Sequence, residues 1–69
     1  MNKVIRYYTF KDDIRIEKAF VNYDDAIDYA RKNDCDEIEE TVWNSEEAYN
    51  NYEPADSFRT VWKVFRTVI

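Results

Sequence analysis

The sequence predicts a single α+β domain of order β-β-α-β-β, an antiparallel sheet with one helix packed on one face. Three observations carry it. Residues 3–21 alternate in character with a period of two and break once, at Asp12-Asp13. Residues 23–30 carry apolar residues at three- and four-residue spacing between a helix-start and a helix-stop signal, a spacing that Phe58, Val61, Trp62, Phe65 and Ile69 also fit without such signals. The C-terminal run is dense in β-branched and aromatic residues. Short connections favour antiparallel neighbours.

In chain order, Lys3 to Lys11 places Val4, Arg6, Tyr8 and Phe10 on one face and Ile5, Tyr7 and Thr9 on the other, so Tyr7 and Tyr8 must point apart. After Asp12-Asp13, Ile14 to Val21 resumes the alternation as the second arm of a hairpin. Asn22 is placed to accept from the first free helical amides, and Asp24 and Asp25 face the positive end of the helix dipole. The helix it opens aligns Tyr23, Ala26, Ile27 and Ala30, carries Arg31 and Lys32 at its negative end and runs to about Asn33. The chain has no glycine, so the left-handed stop falls to Asn33 or Asp34. Glu37 to Asn44 is a third strand, and Glu40 on its apolar face suggests a sheet edge or a frayed end. Ser45 to Tyr49 is a capped helical turn, Asn50 to Pro54 a loop, and Phe58 to Ile69 a fourth strand.

Sixty-nine residues hold one domain, spanning 1–69, with a core of a size that rarely supplies more than about 3 to 5 kcal/mol of net stability. The 45% hydrophobic content, interleaved with charge, marks a chain that folds rather than a disordered one. Cys35 is the lone cysteine, which excludes an internal disulfide and suits a reducing cytoplasm. Met1-Asn2-Lys3 leads straight into a strand without the apolar run of a signal peptide, and no stretch is apolar enough to span a membrane.

An enzyme is not expected. Without histidine, the commonest base near neutral pH is missing; without glycine, there is no phosphate loop. Cys35 sits among Asp34, Asp36 and Glu37, whose charge suppresses thiolate. Paired carboxylates such as Asp24/Asp28 and Glu37/Glu39 lack the size of domain that builds a cleft, and Asp34-Cys35-Asp36-Glu37 lacks the ligand order of a calcium loop. No catalytic residue, cofactor or metal site is expected.

The most informative feature is charge. From Asp34 to Asp56 the chain carries nine carboxylates and no Lys or Arg, against a net charge of -5 overall. Glu37 and Glu39 should project side by side, about 6.6 Å apart on one strand face. Asp34 and Asp36 would lie beyond one end of them and Glu46, Glu47 and Glu53 beyond the other. Such a row imitates a nucleic-acid backbone and would fit a basic protein groove; the competing reading is a solvated face that keeps a small domain soluble. Trp43, Tyr49 and Tyr52 fall inside the block as candidate anchors, although Trp43 and Trp62 can equally cap the open face of a thin sheet. The expected partner-binding set is Asp36, Glu37, Glu39, Glu40, Trp43, Glu46, Glu47, Tyr49 and Tyr52.

The run Phe20-Val21-Asn22-Tyr23-Asp24-Asp25-Ala26-Ile27-Asp28-Tyr29-Ala30-Arg31, with Ile38 opening a strand and Val61-Trp62 in the last, resembles small uncharacterised proteins of bacterial phages and mobile elements. The resemblance covers roughly residues 14–64 and rests on packing positions, so no functional residue carries over from it. Some proteins of such elements are anti-CRISPR or other anti-defence inhibitors, several of them acidic DNA mimics. The resemblance therefore implies a cytoplasmic inhibitor in a bacterial host cell, docking on a nuclease or DNA-binding defence complex. The alternative is an assembly module that self-associates, as a homodimer for instance, through an exposed strand in the Trp62 to Ile69 run. A third reading, nucleic-acid binding through Lys3, Arg6, Arg15, Arg59, Lys63 and Arg66, runs against the net charge.

Overall fold

A computed structural model describes residues 2–65 and has the expected α+β architecture. Its elements are β1 (Val4–Lys11), β2 (Ile14–Arg15), α1 (Tyr23–Lys32), β3 (Glu37–Trp43), α2 (Glu46–Asn50) and β4 (Ser57–Lys63). The four strands form one sheet in the order β2-β1-β3-β4, every neighbouring pair antiparallel.

The hairpin turns without glycine. Asp12 and Asp13 both take positive φ, 51° and 66°, the left-handed pair that matches the twist of two antiparallel strands and that short polar side chains tolerate. The second arm is shorter than its alternation predicts. It pairs regularly only over Ile14–Arg15, bonds once more from Ile16 N–H to the Thr9 carbonyl (2.8 Å), and returns to β1 at Phe20, opposite Tyr7. Four residues from Ile16 to Phe20 thus span two on β1. The surplus is even, so Ile16 and Phe20 stay on the same face and both reach the core.

Helix α1 starts and stops as its sequence dictates. The Asn22 side chain accepts from Asp25 N–H at 3.0 Å, and the chain leaves the helix through Asp34 at φ 55°. Ala26 and Ala30 are fully buried, and their small side chains let the helix lie close on the sheet. With Phe20, Cys35 and Ile38 they form the core, ringed by Tyr7, Ile16, Tyr23, Ile27, Tyr29, Val61 and Trp62. Burying Ile38 alone stabilises the fold by about 1.5 to 3 kcal/mol. Trp62 therefore packs beneath the helix rather than capping the open face.

Two further expectations need correcting. β3 is interior, between β1 and β4, not an edge. Glu40 is tolerated there because both flanking strands present a donor at its level: Tyr7 Oη donates to one carboxylate oxygen at 3.0 Å and Arg59 Nε to the other at 3.0 Å. Among the described residues β4 ends at Lys63, short of Val64 and Phe65, and the rest of the strand expected to reach Ile69, Arg66 included, lies outside the described residues. β4 is the sheet's outer edge, and its pairing with β3 shifts register between Ile38 and Glu39. Among the described residues no helix is long and apolar enough to cross a membrane.

Candidate functional site

With one main helix, the sheet has a second face that α1 does not cover. Strand alternation puts Arg6, Tyr8 and Phe10 there from β1, Glu37, Glu39, Thr41 and Trp43 from β3, and Phe58, Thr60 and Lys63 from β4. Register brings Tyr8, Glu39 and Thr60 into one row, and Arg6, Thr41 and Phe58 into the next.

The loop after α2 folds over one end of this face. Ser45 caps α2 by accepting from Ala48 N–H at 3.1 Å. The chain then reverses through Tyr52 at φ 58°, a left-handed conformation that is costly for so bulky a residue. Trp43 Nε1 donates to the Glu53 carbonyl at 2.9 Å, and the Asp56 side chain accepts from Asn44 N–H at 2.7 Å, fixing both ends of the loop to β3. The result is an open groove of about 720 Å³. Its floor is Tyr8, Glu39, Thr41 and Trp43; Phe58, Tyr49, Asn50 and residues 52–55 bound one side, and Arg15 of β2 with Glu17 just after it bound the other.

Inside it the aromatic rings are partly engaged. Trp43, 9% exposed, meets Tyr49 edge to face at 4.9 Å between centroids. The Arg6 guanidinium lies 4.8 Å from the Tyr49 ring centre and that of Arg15 4.6 Å from Tyr8. Tyr52, 96% exposed, and Phe58, 69% exposed, stand open on the rim. Burial, and then the Glu37 charge, push the Glu39 carboxyl above its ordinary value, against the opposing pull of Arg15. Burial likewise raises the Tyr8 phenol, with Tyr49 adding to it.

The nine carboxylates do not form one continuous row. Glu37 and Glu39 share the open face as the alternation requires, but Glu37 is held by Lys63 at 3.6 Å and by the Thr60 hydroxyl at 2.9 Å. Glu40 faces the helix side and is neutralised by Arg59. Asp36 accepts from Asp12 N–H at 3.3 Å beside the hairpin turn, and Asp56 is spent on the loop. Glu46, Glu47 and Glu53 are exposed on the α2 side. With Glu39, they make no ion pair to any described residue. Of the expected set, then, Glu39, Trp43, Tyr49 and Tyr52 converge on the groove, Glu46 and Glu47 flank it, and Asp36, Glu37 and Glu40 are tied into the sheet. Trp43 contributes as buried support and Tyr52 as an exposed ring.

Tyr8, Arg15 and Phe58 were not among the expected residues. The alternation already assigned Tyr8 to the face of Arg6 and Phe10, but only the register, with β1 and β4 flanking β3, brings Tyr8 and Phe58 beside Glu39 and Thr41. Among the described residues no cluster of three or more His, Cys, Asp or Glu could hold a metal ion. The chain matches no family model, no curated protein and no solved structure to a significant degree.

Proposed function

We propose that this chain is a non-enzymatic binding protein that docks the acidic, aromatic flank formed by its open sheet face and α2 on a basic protein surface. In its most concrete form it is a phage-type, anti-defence inhibitor acting in the bacterial cytoplasm, occupying the nucleic-acid groove of a nuclease or DNA-binding complex. The observation that carries this reading is the segregation of charge. Glu39, Glu46, Glu47 and Glu53 make no ion pair to a described residue, whereas Arg59, Lys63, Arg6 and Arg15 lie against the chain's own carboxylates and rings. A basic groove meeting this flank gains the attraction and steering it otherwise gains from phosphates. That engagement of the basic side chains also works against direct nucleic-acid binding.

The alternative, self-association through an edge strand, is favoured by the outer position of β4 and the exposed Phe58. The register shift in β4 and its two cations, Arg59 and Lys63, oppose it, because irregular, charged edges resist edge-to-edge pairing.

The test is capture from bacterial lysate at low salt with tagged protein, followed by elution with duplex DNA. Retention of a DNA-handling protein that DNA or raised salt releases, and that a Glu46→Lys/Glu47→Lys double variant fails to retain, is the expected result. If nothing retained is displaced by DNA, or the variant captures the same protein equally, the inhibitor reading falls. A chain that sediments as a dimer across a dilution series moves the assignment to self-assembly.

A further inference from the structure

We infer that the groove on the open face is a receptor for an arginine side chain carried on an extended segment of the partner protein. The inference rests on the binding reading above and names its anchor. Three independent features converge on the groove. Glu39 is a half-buried carboxylate at the centre of the sheet with no hydrogen bond or ion pair to a described residue, unlike its strand neighbours Glu37 and Glu40, each held by two partners. Partial burial and the neighbouring Glu37 charge disfavour the ionised form of Glu39 and the Arg15 charge opposes them without forming an ion pair, so an incoming cation would offset the remaining cost. Tyr52 takes the left-handed position that ends α2, where its N–H donates to the Tyr49 carbonyl and the Glu53 N–H to the Ala48 carbonyl, and this turn leaves its ring almost fully exposed on the rim. Phe58, in the row next to Glu39, leaves a broad aromatic surface open within the same groove.

Charge selects a cation, and the geometry selects a guanidinium over an ammonium. A planar guanidinium stacks on aromatic rings while its fork donates two parallel bonds to a carboxylate; an ammonium is a hydrated point charge that does only one of these well. The same face already uses this chemistry within the chain, with Arg6 stacked on Tyr49 and Arg15 on Tyr8. Those two arginines take the Tyr49 and Tyr8 rings and leave Glu39, Phe58 and Tyr52 for the guest. The groove is open along its length rather than a closed pocket, so the arginine arrives on a chain and not as a free small molecule.

The test is an NMR titration of the isotope-labelled full chain with three blocked peptides of sequence Gly-Xaa-Gly-Xaa-Gly, where Xaa is arginine, lysine or citrulline. The arginine peptide should shift the amides of Glu39, Thr41 and Phe58 and the indole N–H of Trp43, with affinity about tenfold above the citrulline peptide and measurably above the lysine one. Glu39→Gln should lower arginine-peptide affinity about tenfold, and Tyr52→Ala should lower it while leaving the amide spectrum of the sheet intact. Equal binding of the arginine and citrulline peptides, perturbation confined to Glu46 and Glu47, or concentration-dependent shifts of these groove signals without peptide would each overturn the inference, the last in favour of a second copy as occupant. The two proposals fail separately. If Glu39→Gln retains the captured DNA-handling protein that Glu46→Lys/Glu47→Lys loses, the acidic-flank reading stands without the arginine receptor. If the peptides behave as expected but no captured protein is displaced by DNA, the receptor stands without the inhibitor.

Discussion

Thr9→Val should make this protein markedly more stable. Thr9 is 0% exposed, lies opposite the equally buried Ile38, and its Oγ1 has no hydrogen-bond partner among the described residues. A buried hydroxyl left without a bond costs about 1 to 3 kcal/mol. Valine has nearly the same shape, keeps the β-branch that suits an interior strand, and replaces that hydroxyl with a methyl group facing the core. The expected gain is therefore about 1 to 2 kcal/mol, a large fraction of the roughly 3 to 5 kcal/mol that a core of this size rarely exceeds. For a domain this small each kcal/mol moves the melting temperature by about 4 to 8 °C, so Tm should rise by about 5 to 15 °C. Thermal and urea unfolding followed by circular dichroism measure it, with an unchanged urea slope showing that the compactness of both states is preserved. Thr9→Ser is the control: it keeps the hydroxyl, loses a methyl and should destabilise by about 1 kcal/mol. A Thr9→Val protein no more stable than the native one would refute the reasoning, because it would mean that the hydroxyl is bonded in solution. Thr9 faces the helix side, so peptide binding to the open face should not change.

Removing the carboxylate with Glu40→Ala should destabilise the fold by about 2 kcal/mol, since Tyr7 Oη and the Arg59 guanidinium both lose their acceptor; chemical denaturation reads this directly. A Tyr7→Phe/Glu40→Gln double-mutant cycle should return a coupling of about 1 kcal/mol, and independent effects would show that the two groups do not act together. The raised carboxyl of Glu39 means that the folded chain holds this proton more tightly than the unfolded one. The stability that protonation contributes is present below the ordinary carboxylate range and is lost as pH rises through the folded value, so Glu39→Gln should be more stable than the native protein at pH 7 and lose that advantage near pH 4, in melts compared across pH. Tyr52→Gly relieves a left-handed non-glycine residue and should stabilise by up to about 1 kcal/mol while weakening arginine-peptide binding; a loss of stability would show that the Tyr52 ring packs in solution.

How far the sequence reached depended on the range of the interaction. Local signals were legible almost to the residue: the Asn22 cap, the Ser45 cap, the Asp34 exit and the glycine-free Asp12-Asp13 turn each depend on a side chain and backbone within a few positions of each other. Alternation also gave the two faces of β1 and β3 correctly. It could not give strand order, and the one inference about order drawn from it, that Glu40 marks an edge, failed because the compensating donors sit 33 and 19 residues away. The second arm of the hairpin failed for the opposite reason. Its alternation is genuine, but an even surplus of residues between Ile16 and Phe20 preserves the pattern while breaking the ladder, so periodicity alone cannot detect it.

The same distinction recasts the acidic block. As a stretch of sequence it is nine like charges; in the sheet it divides by partner. Glu37 and Glu40 meet cations delivered by β4, which explains why a segment so acidic can form the interior strand at all: the basic final strand is its internal counterion. Glu39, lying between them in sequence, faces Thr60 rather than a cation, and the register shift at Ile38/Glu39 is what allows Lys63 to stand opposite Glu37 and Arg59 opposite Glu40. The pairing that supplies cations to Glu37 and Glu40 thus leaves the carboxylate between them without an ion pair to a described residue, on the open face next to the exposed rings of a groove. An acid retained there at a cost to folding is better explained by a cation that arrives with a partner than by solubility, which Glu46, Glu47 and Glu53 already serve from fully solvated positions.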